Sequence, residues 1–326
     1  MATGDQIKAL IRSHAEGDDE RFYSVAMQLA AGEAHVGHTR LSGDLAKLIE
    51  QARKAPGLKK AAGRPRALAQ PSGDLGEVLL ASYPSQRLSH LVLSGGVRAK
   101  LDRVMKETLH GDELRHHGLS PLRKLLLVGP PGTGKTMSAG ALAGQLGLPL
   151  FSVRFDGLIT RFLGETAAKL RLVFDALVHT RGVYFFDEFD ALGGERQMGH
   201  DVGEIRRVLN SFLQFIEQDE STSLIIAATN HVGLLDRALF RRFDMAIEYA
   251  LPDTGNAEQV LRNRLADLDT SVIQWAQILV AVAGLSHADL ARAADHAAKD
   301  AVLARSKRVT TEQLLSAIDE RRSFPR

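Results

Sequence analysis

A glycine-rich segment that follows an apolar run is the feature of this sequence that most constrains its fold. Residues 129–136 read Gly-Pro-Pro-Gly-Thr-Gly-Lys-Thr, between the apolar run 125–128 and a helix-forming stretch at 137–146. Such a strand, loop and helix can wrap a polyphosphate, because glycines let backbone N–H groups turn onto phosphate oxygens and the helix adds its positive dipole end. Lys135 would reach the β- and γ-phosphates, and the Thr136 hydroxyl would sit on Mg²⁺. The sequence therefore predicts a nucleoside triphosphate site.

Composition limits the remaining possibilities. The 326 residues are 44% hydrophobic and 25% charged, as in a globular protein long enough for two or three domains. A formal net charge of +2 predicts no bulk attraction to nucleic acid or to a membrane. The sequence has no cysteine, which excludes disulfides, thiolate catalysis and cysteine-ligated zinc. No apolar run approaches the roughly 20 residues that span a bilayer, and the first residues lack a signal-peptide core, so we expect a cytoplasmic protein.

The spacing of apolar residues divides the chain into four regions. Residues 1–55 have helical spacing with two breaks, which predicts a small helical domain. Residues 56–84, which begin with a stretch rich in proline, glycine and basic residues, are predicted to be a linker. Residues 85–252 alternate strand-like and helical runs, which predicts an α/β fold with a parallel sheet flanked by helices. Residues 253–326 show only helical runs. The strands are expected at 124–128, 149–153, 182–187, 223–228 and 245–249.

Two of the predicted strands end in polar side chains that suit phosphate chemistry. The run 183–186 is followed by Asp187 and Glu188, and a pair of carboxylates after an apolar strand is costly unless the pair has a role. In a nucleotide enzyme Asp187 would orient the Mg²⁺ hydration shell and Glu188 would polarise the attacking water. The run 225–229 ends at Asn230, whose amide could hydrogen-bond that water or the γ-phosphate, although Asn after a strand is commonly a turn residue.

The adjacent arginines Arg241 and Arg242 form a further candidate element. Paired arginines are usually solvated surface residues. Because this pair follows Asn230 at a suitable spacing, it favours a role as arginine fingers that reach the nucleotide of a neighbouring subunit. Such a finger can raise the rate by roughly 10³–10⁵, because it neutralises transition-state charge.

With these elements in this order, the chain resembles the AAA family of ring-forming ATPases from about residue 85 to its end. It is most similar to the group of ESCRT-disassembling and microtubule-severing enzymes, and it also resembles small bacterial AAA ATPases that are sometimes encoded beside a subtilisin-like protease. The resemblance implies a P-loop NTPase domain with a C-terminal helical lid at 253–326, ATP and Mg²⁺ as cofactors, and a homohexameric ring. It matches residues 129–136 to Walker A, Asp187 and Glu188 to Walker B, Asn230 to sensor 1, and Arg241 and Arg242 to the arginine fingers.

The resemblance also implies contacts with the nucleotide. Gly95 and Gly96 stand where the family contacts adenine, and Ala288 lies in the lid motif 284–290, in which His287 replaces a glycine. Thr136 and Asp187 would hold Mg²⁺, and Lys135 would also serve catalysis. The full set of implied nucleotide contacts is Gly95, Gly96, Pro131, Gly132, Thr133, Gly134, Lys135, Thr136, Met137 and Ala288.

Two loops would face a substrate channel. Phe162, Leu163 and Gly164 resemble the pore loop that grips an extended polypeptide, although Phe162 on its own could be a core residue. The polar, glycine-rich loop 193–201 would face the same channel, or is a mobile surface loop.

Four functions remain open. The leading hypothesis is ATP-driven remodelling or unfolding of protein substrates, threaded through the pore of a hexamer, with residues 1–55 as a recruiting domain. In the second, the same ring feeds or activates a separate protease. The third is a DNA-directed motor that uses the basic run 53–66, although a solvated linker explains that run better and nucleic acid is an improbable partner. The fourth is a nucleotide-gated interaction module without turnover, against which the complete catalytic set argues.

Overall fold

The structure is a computed structural model, and it describes residues 70–158, 163–189, 202–230 and 240–323, together with the isolated residues Ala26 and Gly43. The chain divides into two compact units, residues 1–68 and residues 69–326. Apart from Ala26 and Gly43, the predicted helical domain at 1–55 lies outside the described residues. All elements described below belong to the second unit.

The described part of the second unit contains six strands and eleven α-helices, with one 3₁₀ turn at Leu88–His90. The strands are β1 (Leu79–Ser82), β2 (Lys124–Val128), β3 (Leu150–Val153), β4 (Val183–Phe186), β5 (Leu224–Thr229) and β6 (Met245–Glu248). The helices are α1 (Asp74–Val78), α2 (Gly95–Leu109), α3 (Gly111–His116), α4 (Lys135–Leu146), α5 (Phe155–Leu158), α6 (Leu163–His179), α7 (Val202–Gln218), α8 (Thr254–Arg264), α9 (Trp275–Ala281), α10 (His287–Leu303) and α11 (Thr311–Ser323).

The strands form one sheet in the order β1-β3-β4-β5-β2-β6, in which all neighbours except β1 and β3 run parallel. The predicted α/β fold with a helix-flanked sheet is confirmed, and the five predicted strands lie within one residue of their expected bounds. Val128 pairs with Thr229, so β2 and β5 end side by side. Because the carboxyl ends of parallel strands meet at one edge, the segments after β2, β4 and β5 share that edge.

One strand lies in the range that the sequence predicts as linker. Strand β1 pairs antiparallel with β3, with Leu79 opposite Val153 and Ser82 opposite Leu150. The linker prediction for 56–84 is therefore wrong for residues 74–82, which form α1 and β1, and the sheet is mixed and not purely parallel. A four-residue strand with only Leu79 buried is too short to give a periodic pattern.

The sheet is covered on both faces. Within β2, Leu126 and Val128 pack into one core cluster, whereas Leu125 and Leu127 pack into the other. Burial on both faces explains why these strands are continuous apolar runs in the sequence. The helices after the sheet have a core of their own, which includes Leu261, Ile278, Leu290, Ala294 and Ile318.

Candidate active site

The loop 129–134 after β2, called the phosphate loop below, packs closely against other residues on two sides. Gly129 has φ 149°, and a Cβ there would collide with the Tyr249 main chain beyond β6. Gly132 has φ 73°, and a Cβ there would lie 2.5 Å from Ser286 Oγ, at the start of α10. Both positions therefore require glycine, because a side chain would be strained and would also clash. The loop lies between the sheet and the helix α10.

Lys135, the first residue of α4, is buried and turned into this loop. Its Nζ donates hydrogen bonds to the carbonyl oxygens of Gly129 at 2.7 Å and Pro130 at 2.9 Å. It also donates to Asn230 Oδ1 at 2.8 Å. These contacts fix the ammonium group between the phosphate loop and the end of β5. Two residues that the sequence predicts for one site are thus brought into direct contact.

Thr136 and Asp187, the predicted Mg²⁺ ligands, are also in contact. The Thr136 hydroxyl donates to Asp187 Oδ2 at 2.8 Å, and Asp187 Oδ1 accepts a hydrogen bond from the Glu188 amide at 3.0 Å. Hydroxyl and carboxylate oxygens are the ligand types that Mg²⁺ prefers, and Mg²⁺ usually takes one or two carboxylates with substrate phosphates and water. The residues present therefore fit that ion.

Glu188 is exposed and has φ 51°, a left-handed conformation that is unfavourable for a non-glycine residue. The side chains of Phe186 and Phe189 on either side of it are fully buried. These two anchors force the chain to turn between them, and the turn leaves the Glu188 carboxylate in solvent beside Asp187. Strained residues of this kind are concentrated at functional sites.

Helix α10 contacts the phosphate loop through its backbone. The Ala288 amide donates to the Gly132 carbonyl oxygen at 3.0 Å. Ser286 caps α10 by accepting from the Asp289 amide, and Asp289 in turn pairs with Arg321 of α11 at 3.1 Å. The family resemblance predicts a nucleotide contact for Ala288, whereas its contact with the loop could not be predicted because a backbone hydrogen bond leaves no side-chain signal in the sequence.

His287 lies beside this contact. Both of its ring nitrogens are buried, and neither has a hydrogen-bond partner in the part of the chain that the structure describes. Burial lowers the pKa of His287 below its usual value, and the nearby Asp253 carboxylate opposes that shift only in part.

Gly95 and Gly96 begin α2, whose N-cap is Ser94, and they lie beside a boundary between two cores. Leu93 packs against the cluster on one face of the sheet, whereas Val92 packs against the core of the C-terminal helices. No hydrogen bond between the described residues joins either glycine to the phosphate loop.

In the described ranges, neither Arg241 nor Arg242 forms a hydrogen bond or an ion pair with the site residues above. Arg241 is exposed, and no described residue forms a hydrogen bond or an ion pair with it. Arg242 forms an ion pair with Glu217 at the end of α7. Phe162 and the loop 193–201 lie outside the described residues, whereas the backbone of Leu163 and Gly164 forms the start of α6.

Comparisons with known proteins point to one family. The model of the "ATPase family associated with various cellular activities (AAA)" matches residues 125–251. The chain is 35% identical to a protein of Sinorhizobium fredii named uncharacterized AAA family ATPase y4kL, over 98% of this chain and 96% of that protein.

Further relatives are named ATP-dependent zinc metalloprotease FtsH. The protein of Lancefieldella parvula is 36% identical over 64% of this chain and 33% of its own length, and that of Cupriavidus metallidurans is 39% identical over 59% and 30%. The chain thus spans about a third of the length of these metalloproteases. Among the described residues there is no helix with the length and hydropathy needed to cross a bilayer.

Proposed function

This chain belongs to the AAA family of ATPases, and we propose that it couples ATP hydrolysis to the remodelling or unfolding of protein substrates. The observation that carries the proposal is the pair of contacts at the carboxyl edge of the sheet, Lys135 with Asn230 and Thr136 with Asp187. Side chains that suit phosphate binding, Mg²⁺ binding and water activation lie together at one edge of the sheet. This arrangement favours ATP hydrolysis over nucleotide binding without hydrolysis.

The residues take the following roles when ATP enters the loop. Lys135 would leave its carbonyl partners for the β- and γ-phosphates, while Thr136 and Asp187 would hold Mg²⁺. The ion supplies charge neutralisation on the phosphate oxygens. Glu188 would accept the proton of the water that attacks the γ-phosphorus while the bond from that phosphorus to the ADP oxygen breaks, and Asn230 would orient that water or the γ-phosphate.

We propose that the active assembly is a ring of six identical subunits. Arg241 and Arg242 would complete the site of the neighbouring subunit, which agrees with the lack of any hydrogen bond or ion pair between them and the site residues of their own chain in the described ranges. Their charge would act on the transition state across the subunit boundary.

The proposed substrate is an extended polypeptide gripped by the loop that contains Phe162, Leu163 and Gly164. Residues 1–55 would recruit it, residues from 74 to 252 would form the ATPase domain, and residues 253–326 would form the lid, in a cytoplasmic protein. A second candidate follows from the relatives named FtsH. Their printed name, ATP-dependent zinc metalloprotease, supports the hypothesis that the ring feeds or activates a separate protease.

The Glu188→Gln protein, held in ATP and purified from the native host, tests the proposal. Binding without hydrolysis should retain protein partners that the wild type releases, so mass spectrometry should find a narrow set of proteins enriched over a Lys135→Ala control. A protease in that set would favour the second candidate. Wild-type ATP turnover by Glu188→Gln would exclude the mechanism, and DNA-bound proteins lost on nuclease treatment would favour a DNA motor.

A further inference from the structure

The two adjacent arginines have different surroundings. Arg242 Nη1 lies 2.5 Å from Glu217 Oε1, whereas the exposed Arg241 has no such partner among the described residues. The side chains of Arg242 and Glu217 are 41% and 53% exposed, so the pair lies at the surface, where a second subunit could reach it. Within the part of the chain that the structure describes, a carboxylate therefore balances the charge of Arg242 but not that of Arg241.

The backbone that carries the arginines is fixed to strand β2. Phe243 is buried in the core cluster that contains Phe212 of α7. Asp244 Oδ2 accepts hydrogen bonds from the amides of Arg123 at 2.9 Å and Lys124 at 2.8 Å, and the Asp244 amide donates to the Lys124 carbonyl oxygen at 2.8 Å. The segment that follows the arginine pair therefore has a defined position at the start of β2.

The residues that follow Glu217 are fixed to the same strand. The Arg123 guanidinium group bonds both the side chain and the backbone carbonyl oxygen of Asp219, whose side chain is 2% exposed. Arg123 thus ties the end of α7 to β2, while its amide holds Asp244. Glu217 and Arg242 lie on two segments that are both attached to the start of β2. Their ion pair links these two segments directly.

We infer that Glu217 is a positioning residue, which retains Arg242 in its own subunit and thereby presents Arg241 as the arginine that reaches the neighbouring nucleotide. The inference rests on the proposed action of arginines between subunits, and it narrows the contact with the neighbouring phosphates from the pair to Arg241 alone. Arg242 would have to give up its carboxylate to contact a phosphate, whereas Arg241 has no such contact to break in the described ranges. Restraining residue 242 also restricts the backbone directions that residue 241 can take.

Steady-state ATP hydrolysis by charge variants of the full chain tests this assignment. Glu217→Gln should lower kcat about threefold to tenfold, because a loosened arginine is misplaced for part of the time, with KM changed less than about twofold. Glu220→Gln, an exposed carboxylate near the same helix end, is the matched control and should keep wild-type kinetics. The melting temperature of both variants should stay within about 2 °C of the wild type, because exposed ion pairs stabilise a fold little.

The charge swap gives the decisive comparison. Arg242→Glu alone places two carboxylates together and should lower kcat at least about tenfold. Adding Glu217→Arg restores an ion pair of reversed polarity and should recover kcat to within about threefold of the wild type. If Arg242 itself contacts phosphate, the double variant keeps a carboxylate at the nucleotide and stays as inactive as Arg242→Glu, which overturns the assignment.

Mixing inactive subunits separates this inference from the proposed function. Arg241→Ala keeps an intact phosphate loop, and Lys135→Ala keeps an intact arginine pair, so their mixture should regain activity if arginines act between subunits. Recovery in the mixture without recovery in the charge swap rejects the role of Glu217 alone. A mixture without activity rejects the action between subunits, and with it both proposals about the arginines.

Discussion

Lys135 and Asn230 are hydrogen-bonded to each other, Nζ to Oδ1 at 2.8 Å, although 95 positions separate them in the chain. Each follows one of two neighbouring parallel strands, and the pairing of Val128 with Thr229 aligns the ends of those strands. The bond therefore joins the first residue of α4 to the residue that follows β5. A triphosphate that recruits Lys135 must compete with this contact.

Replacing Asn230 by alanine should separate ATP binding from hydrolysis. The change removes a competitor for Lys135, so the affinity measured with a fluorescent ATP analogue should be unchanged or higher. Loss of a polar group that orients the reacting atoms should lower kcat by roughly 10²–10³. The exposed Asn210→Ala on α7 serves as control. Full activity in Asn230→Ala would mean that Asn230 is only a turn residue.

Replacing Glu188 by glycine should stabilise the protein while it stops hydrolysis. Glycine adopts φ 51° without the penalty that a side chain incurs, which is worth about 1 kcal/mol in the free energy of unfolding. For a unit of this size that corresponds to a rise of roughly 2–4 °C in melting temperature. Glu188→Gln keeps the strained backbone and should melt near the wild type. Calorimetry compares the variants, and equal melting of Glu188→Gly and Glu188→Gln would show that the turn is not strained.

Gly132→Ala should lose both ATP affinity and stability, because the new Cβ meets Ser286 Oγ at 2.5 Å as well as straining φ 73°. Gly147 at the end of α4 also has a positive φ, 65°, but its Cβ would meet nothing within 4 Å. Gly147→Ala thus reports backbone strain alone, about 1 kcal/mol. We expect Gly132→Ala to unfold at lower urea than Gly147→Ala and to bind the ATP analogue at least about tenfold more weakly. Equal effects would contradict a tight contact between the loop and α10.

His287, whose ring nitrogens are buried, should make stability decrease in mild acid. Burial lowers its pKa in the folded protein below the ordinary value of 6.5, so the unfolded chain takes up the proton first. The contribution of this group is complete above pH 6.5 and is lost as the pH falls from there to the folded pKa, by at most about 1.4 kcal/mol per pH unit. His287→Gln should therefore lose less stability than the wild type between pH 7.5 and pH 5.5 in urea unfolding. The exposed His179→Gln is the control, and parallel curves for all three proteins would contradict the effect.

The sequence predicts most of the sheet and the side chains at its edge because both signals are local. A strand buried on both faces, such as β5, is an unbroken apolar run, and its end marks where Asn230 must lie. Strand β1 is missed because its pairing with β3 involves residues about 70 positions apart, and four residues carry little pattern of their own. That pairing is determined by tertiary contacts, which no short window contains.

The contacts that connect the site to its surroundings are harder to predict. The Arg242–Glu217 pair joins residues 25 positions apart on two elements, and charged side chains are common on any surface. Thr136 and Asp187 are predicted as Mg²⁺ ligands from their residue types, although their 2.8 Å contact depends on the register of the strands. The predictions for Phe162, for the loop 193–201 and for residues 1–55 stay predictions.

The hydrogen bond from the Ala288 amide to the Gly132 carbonyl oxygen involves main-chain atoms only. An alanine scan across α10 would leave it intact, and of the coded amino acids only proline at position 288 would remove its donor. Mutational screens would therefore overlook this link between α10 and the loop after β2. For the same reason, side chains beside this bond, such as the imidazole of His287, can be exchanged without removing either of its two atoms.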